Sequence, residues 1–288
     1  MTFTYQETKR RNRLFALVGG SLAITHATGP LLGGYLVQYL NWHANFAFLS
    51  LMGLILLIYT YKTLPETHHH LGQRHQEHHL GRLLWKMLQD GRILGFVFLV
   101  SAFNGIFFSY YAEAPYIFTH IFHLSVSIYG ASSLVIALAW AVGAYISTRL
   151  NRNWQTEKLI VLSCLLTLGG SANLLLTTYF GWLNTTSLIL NLSTFLFSMF
   201  VIFLGFGIGI PNCLSIALIN YQHVLGSAGA LFGMLYYFLI AGFTLLMGWL
   251  HNGKLISMPL YFTTIAILML IVATIIYCRQ CTANLKEK

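Results

Sequence analysis

One carboxyl group stands where a carboxyl is hardest to keep ionised. Of the seven Asp and Glu residues, only Glu113 falls within a long apolar run, whereas Glu7, Glu66, Glu77, Asp90, Glu157 and Glu287 lie in polar segments between such runs. A carboxyl withdrawn from water favours its neutral form, so it exchanges a proton nearer neutral pH than a surface acid does, and acids inside membrane spans mark proton or ion paths. As an anion it also attracts a cationic ligand. Ser109 and Tyr110 precede it by one helical turn and fall on the same face, which predicts a polar lining there. The competing reading is plain hydration, because Glu113 lies about 20 residues into its run and so only about 10 Å from the far end.

Glycine and amide patterns come next. Gly205, Gly207 and Gly209 alternate ahead of Pro211 and Asn212. Such a stretch suits a thin, deformable helix that lines a cavity, and it also occurs in ordinary membrane helices. Asn104, Asn173 and Asn191 lie within apolar runs and are expected to hydrogen-bond between helices. Thr28-Gly29-Pro30-Leu31-Leu32-Gly33-Gly34 crowds three glycines and a proline into one stretch. Glycine lets a neighbouring backbone approach closely, and proline frees a carbonyl and bends the helix. Tyr110, Tyr111, Tyr116, Tyr236 and Tyr237 offer rings that would attract organic cations, although packing and interfacial belts are the commoner uses.

The elements that must position these residues are membrane spans. The 288 residues are 57% hydrophobic and 8% charged, with a mean hydropathy of +0.68, against roughly 25% charged in soluble domains. Apolar runs predict eight transmembrane helices near 14–40, 44–64, 93–119, 128–149, 158–180, 188–212, 226–250 and 258–278, the sixth ended at Asn212 by Pro211. The first run follows Lys9-Arg10-Arg11-Asn12-Arg13 but is far longer than the roughly 7–15 residues of a signal core, so it reads as a true span. The net charge of +9 sits between spans with no basic stripe among aromatics, which excludes nucleic acid. Of sixteen Lys and Arg residues, only Lys254 falls on one side of the alternating loops. That asymmetry places both termini in the cytoplasm and requires an even number of spans.

The longest polar segment divides the chain into 1–64, a linker 65–92 and 93–288. The linker carries His68, His69, His70, His75, His78 and His79. Imidazoles suit zinc, copper or nickel. Without cysteine or carboxylate ligands at fixed spacing, the segment reads as a solvated loop, and no metal or cofactor is assigned. Cys164 and Cys213 lie in apolar runs, and Cys278 and Cys281 close the last; one such pair without a second implies neither a disulfide framework nor a zinc site. No catalytic triad, phosphate loop or zinc-protease motif occurs in a suitable context, so an enzyme is not expected.

The Gly29-Pro30-x-x-Gly33-Gly34 pattern resembles the antiporter signature of the major facilitator superfamily, which those drug–proton antiporters carry in their fifth helix. Asn41-Trp42-His43, Leu64-Pro65-Glu66-Thr67, Glu113-Ala114-Pro115-Tyr116, Ser125-Val126-Ser127-Ile128-Tyr129-Gly130, Pro211-Asn212, Gly226-Ser227-Ala228-Gly229-Ala230-Leu231 and Leu250-His251-Asn252-Gly253 extend the likeness to the Bcr/CflA group of multidrug exporters. Ala16 and Thr25 stand where the full signature places further glycines. The resemblance implies an all-α polytopic fold matching helices 5–12 of twelve: two helices of the first half, then the complete second half. It implies proton-coupled efflux of small amphipathic drugs across a bacterial inner membrane. Glu113, Ser109, Tyr110 and Asn212 would be proton or substrate residues, and Gly29, Pro30, Gly33 and Gly34 gating ones. Because two halves must rock around a central site, it also implies either a partner chain supplying four helices or a remnant that does not transport.

Overall fold

The computed structural model describes residues 28–63, 80–182 and 187–286, and among them every regular element is a helix. A backbone in lipid must satisfy its own polar groups, and a helix does this within one segment. Helix α1 covers 28–39, α2 Trp42–Thr63, α3 Leu80–Gln89, α4 Gly91–Tyr116, α5 Val126–Leu150, α6 Thr156–Tyr179, α7 Leu188–Ala217, α8 Leu225–Leu250 and α9 Ser257–Lys286. Seven of these, α2 and α4 to α9, are long and apolar enough to cross a membrane. They match the expected spans to within a few residues, apart from the ends of α7 and α9, the latter running on through polar residues to Lys286 instead of stopping near 278. The expected first span lies largely outside the described residues, which hold its last part as α1; the six linker histidines lie outside them entirely.

Two departures have physical causes. The linker is not all loop, because Leu80, Leu83, Leu84 and Met87 recur at helical spacing and form one apolar face of α3. Met87 is fully buried, while Trp85 on another face is exposed. A short amphipathic helix of this kind lies along a membrane surface rather than across it. The second departure is α7, which runs through Pro211 to Ala217 instead of stopping at Asn212. Proline removes one backbone donor, but the Asn212 side chain donates to the Ile208 carbonyl at 2.7 Å and helps carry the helix past it.

Helix α7 sits among its neighbours through the alternating glycines. A Cβ on Gly205 would come within 2.6 Å of the Ser163 carbonyl on α6; on Gly207 it would strike the Trp140 carbonyl on α5; on Gly209 it would strike the Phe103 ring on α4. The three glycines therefore admit three different helices to close range, which is packing rather than a loosened cavity wall. Phe103, Phe107, Trp140, Phe203 and Phe206 fill the junction with edge-on and stacked contacts. By contrast, α2 buries no residue in this structure.

Asp90 fixes the start of α4. Its carboxylate accepts from the backbone N–H of Arg92 at 2.9 Å and of Ile93 at 3.3 Å, satisfying two donors that a helix N-terminus leaves free. It also accepts from the Tyr221 hydroxyl at 3.3 Å in the short turn Ile219–Val224 that follows α7. Burial and the adjacent carboxylate hold the Tyr221 phenol above its usual pKa, so its proton stays in this bond. Asp90→Ala is expected to cost about 1 kcal/mol, within a range of roughly 0.5–2. Asp90→Asn, which keeps a capping acceptor, should cost less; thermal unfolding midpoints in detergent check the order.

Candidate functional site

The Asp90–Tyr221 bond fixes the geometry, because it sets the start of α4 beside the end of α7. Glu113, at the far end of α4, therefore lies at the opposite membrane face from Asn212 near the end of α7. The structure does not bring these two expected site residues together. Asn212 instead pins α7 to the last turn of α5: its amide donates to Ser147 Oγ at 2.7 Å, and Asn151 donates to its side-chain oxygen at 2.9 Å.

Glu113 has a partner that the sequence did not indicate. Its Oε2 lies 2.8 Å from Nδ1 of His251, 138 residues further along the chain, with side-chain exposures of 11% for the acid and 37% for the imidazole. Among the described residues this is the one carboxylate–base pair within ion-pair distance. The sequence places His251 there because α8 ends at Leu250: His251 is the extended residue after it, its backbone N–H bonded to the Met247 carbonyl at 3.0 Å. Gly253 then takes φ +74°, a left-handed conformation that suits glycine, and its carbonyl accepts from the Tyr116 hydroxyl at 3.4 Å. Asn252 Oδ1 accepts from the Lys254 backbone N–H and from Ser257 Oγ, closing the turn into α9.

Aromatic rings wall the pair. Tyr116 meets His251 edge-on with centroids 4.9 Å apart and stacks on His120 at the same separation. The carboxylate is thus the sheltered member of the pair and the imidazole the exposed one. Such a pair can pass a proton between a wet and a sheltered position, with the acid as the inner acceptor.

Ser109 and Tyr110 do sit on Glu113's side of α4, but neither bonds to it. Both are fully buried, and with Tyr111 they carry hydroxyls that no partner engages in close hydrogen-bond geometry. Ser132 stands beside Tyr110; its hydroxyl donates to the Tyr129 carbonyl at 2.6 Å and keeps its oxygen lone pairs free to accept from the Tyr110 hydroxyl. Tyr261 stands beside Ser109 and donates to the Phe243 carbonyl, also at 2.6 Å. Hydroxyls held this loosely in an apolar interior cost up to roughly 1–3 kcal/mol each. They are also the groups that a polar guest or a water would satisfy.

The signature residues divide. Gly34 admits α5, since a Cβ there would come within 2.9 Å of the Val126 carbonyl; Gly130 on α5 answers it, meeting the Pro30 carbonyl at 2.7 Å. Gln38 adds an acceptor for the Ser127 backbone N–H at 3.0 Å. Gly33 has only the Asn45 side chain near it, and Gly29 faces open space. Of the four signature residues, Gly34 and the Pro30 carbonyl thus form a close seam between α1 and α5, and Gly29 and Gly33 stand outside it.

Long apolar helices packed through glycines define a polytopic α-helical membrane protein. The family model described as the Major Facilitator Superfamily matches residues 2–244, and the chain belongs to that superfamily. It is 29% identical to an uncharacterized transporter of Rickettsia felis over 86% of this chain and 61% of that protein. It is 25% identical to the chloramphenicol resistance protein of Pseudomonas aeruginosa over 98% of this chain and 63% of the relative. With a bicyclomycin resistance protein homolog of Haemophilus influenzae it shares 25% identity over 42% of this chain and 30% of that protein. The chain spans less than two thirds of the length of the curated relatives it matches.

Proposed function

We propose that the chain serves proton-coupled export of small amphipathic molecules, with Glu113 and His251 as the proton-exchanging pair. The observation that carries this reading is the 2.8 Å carboxylate–imidazole contact, an ionisable pair beside the Tyr116 ring, whose carboxylate is the one acid expected inside the apolar runs. The loosely held hydroxyls of Ser109 and Tyr110, one turn from the acid on its side of the helix, support a polar guest. The printed names of two relatives, for resistance to chloramphenicol and bicyclomycin, support drugs as the substrate class. Drug efflux in a pump-deficient bacterial host tests the reading, and efflux that is unchanged in Glu113→Gln sinks the assignment of that residue.

A second reading rests on the relatives' greater length. Alternating access uses two halves around one site. Transport then uses the further spans that the longer relatives carry, and in this reading a chain supplying four of them is a partner. Efflux restored only when a four-span chain is expressed alongside favours this reading over independent activity.

The proposed setting is a bacterial inner membrane with both termini in the cytoplasm and the His251–Lys254 turn outside. In a background with Cys278 and Cys281 changed to Ser, Lys254→Cys should react with an impermeant maleimide in intact cells. Arg152→Cys should react only after permeabilisation. The reverse pattern inverts the topology.

A further inference from the structure

At the end of the bundle opposite Glu113, α4 and α9 leave a groove of about 490 Å³ between them. Its inner wall is apolar, from Leu94, Phe98, Val272 and Ile275, and its rim carries Arg92, Arg279 and Gln280. A Cβ on Gly91 would sit 3.8 Å from Nη1 of Arg279, so that guanidinium lies over the first residue of α4 and beside Arg92. The same rim lacks a counter-charge. Among the described residues neither arginine pairs with a carboxylate, and Asp90 is already engaged by two backbone donors and the Tyr221 hydroxyl. Arg92 rests over the Phe96 ring at 5.8 Å, which orients it without neutralising it. Gly95 keeps the groove's floor low, as a Cβ there would come within 2.9 Å of Ile276.

We propose that this groove binds a phospholipid with an anionic headgroup, its phosphate held between Arg92 and Arg279 and an acyl chain laid along Leu94, Phe98 and Ile275. The chemistry agrees at both ends. Guanidinium forks match phosphate oxygens in pairs, and a charged rim above an apolar slot, at the membrane edge of the helices, fits a molecule that is anionic at one end and hydrocarbon at the other. A soluble anion would satisfy the rim and leave the apolar slot unused.

The test is a titration of the full chain in detergent with phosphatidylglycerol or phosphatidylcholine, read by native mass spectrometry. Phosphatidylglycerol should bind more tightly, and Arg92→Gln with Arg279→Gln should weaken it by about five-fold for each charge removed. Ile275→Trp, which fills the slot from an exposed position and leaves the charge unchanged, should weaken it as well. Arg149→Gln, whose guanidinium lies over Tyr145 on α5, should not. Equal binding of the two lipids, or unchanged binding in either groove variant, overturns the proposal. So does an equal loss in Arg149→Gln, which would mean diffuse surface charge, or displacement by millimolar inorganic phosphate, which would mean a free-anion site.

Discussion

Efflux driven by a proton gradient should fall to the level of an empty vector when Glu113 becomes Gln, while substrate exchange without a gradient persists. The argument rests on what Gln keeps and what it loses. Its amide has the size and polarity of the carboxyl, so the wall formed with His251 and Tyr116 can stay closed. It cannot bind and release a proton, so a cycle that needs protonation at that point stalls. In inverted vesicles the wild-type chain, with whatever partner it requires, should dissipate a proton gradient when substrate is added, and Glu113→Gln should not. Counterflow of labelled against unlabelled substrate separates the outcomes. Loss of both activities would mark Glu113 as structural, and retention of both would remove it from the mechanism. His251→Ala tests the other half of the pair. It strips the partner from a carboxyl that is 11% exposed. The carboxyl then loses its only ion-pair partner among the described residues, and gradient-driven efflux should weaken. His251→Gln, which can still donate to the carboxylate, should be milder than His251→Ala in stability and no better in coupling.

The residues differ in how much they disclose before folding. Spans were legible because twenty apolar residues in succession admit few other solutions. The lone acid was equally legible, since Glu113 needed only to be counted against the spans. Its partner was not. His251 lies 138 residues away, and nothing local requires α8 to end beside α4; that follows from how whole helices pack. A usable signal existed in retrospect: His251 is the first residue after a span that ends at the same membrane face as Glu113. Asn212 misled for the converse reason. Beside Pro211 and the glycines it looked like part of a broken-helix site, yet its two amide donors and its oxygen are consumed by Ile208, Ser147 and Asn151. Helix α3 was hidden inside a polar linker because its ten residues are too few to register as a span, although Leu80, Leu83, Leu84 and Met87 carry the period.

The alternating glycines of α7 lead to the largest expected loss of stability. Gly207→Leu should prevent the bundle from assembling, and Gly207→Ala should destabilise it by about 1–3 kcal/mol or more. The reason is what stands opposite. A Cβ on Gly207 meets the backbone carbonyl of Trp140, and one on Gly143 of α5 meets that of Leu204 in return. Backbone cannot swing aside as a side chain can, so relief requires α5 and α7 to separate, and separation opens the Phe107–Trp140–Phe206 junction and strains the Asn151–Asn212 link. Glycines without such neighbours supply the control. Gly169 on α6 and Gly242 on α8 have no atom within 4 Å of an added Cβ. Alanine there should be neutral or stabilise by up to about 1 kcal/mol, the helix-propensity difference alone. Thermal unfolding of the three alanine variants in one detergent decides the matter: if Gly207→Ala is as stable as Gly169→Ala, the close seam between α5 and α7 does not hold the bundle, and α7 regains its alternative role as a deformable wall.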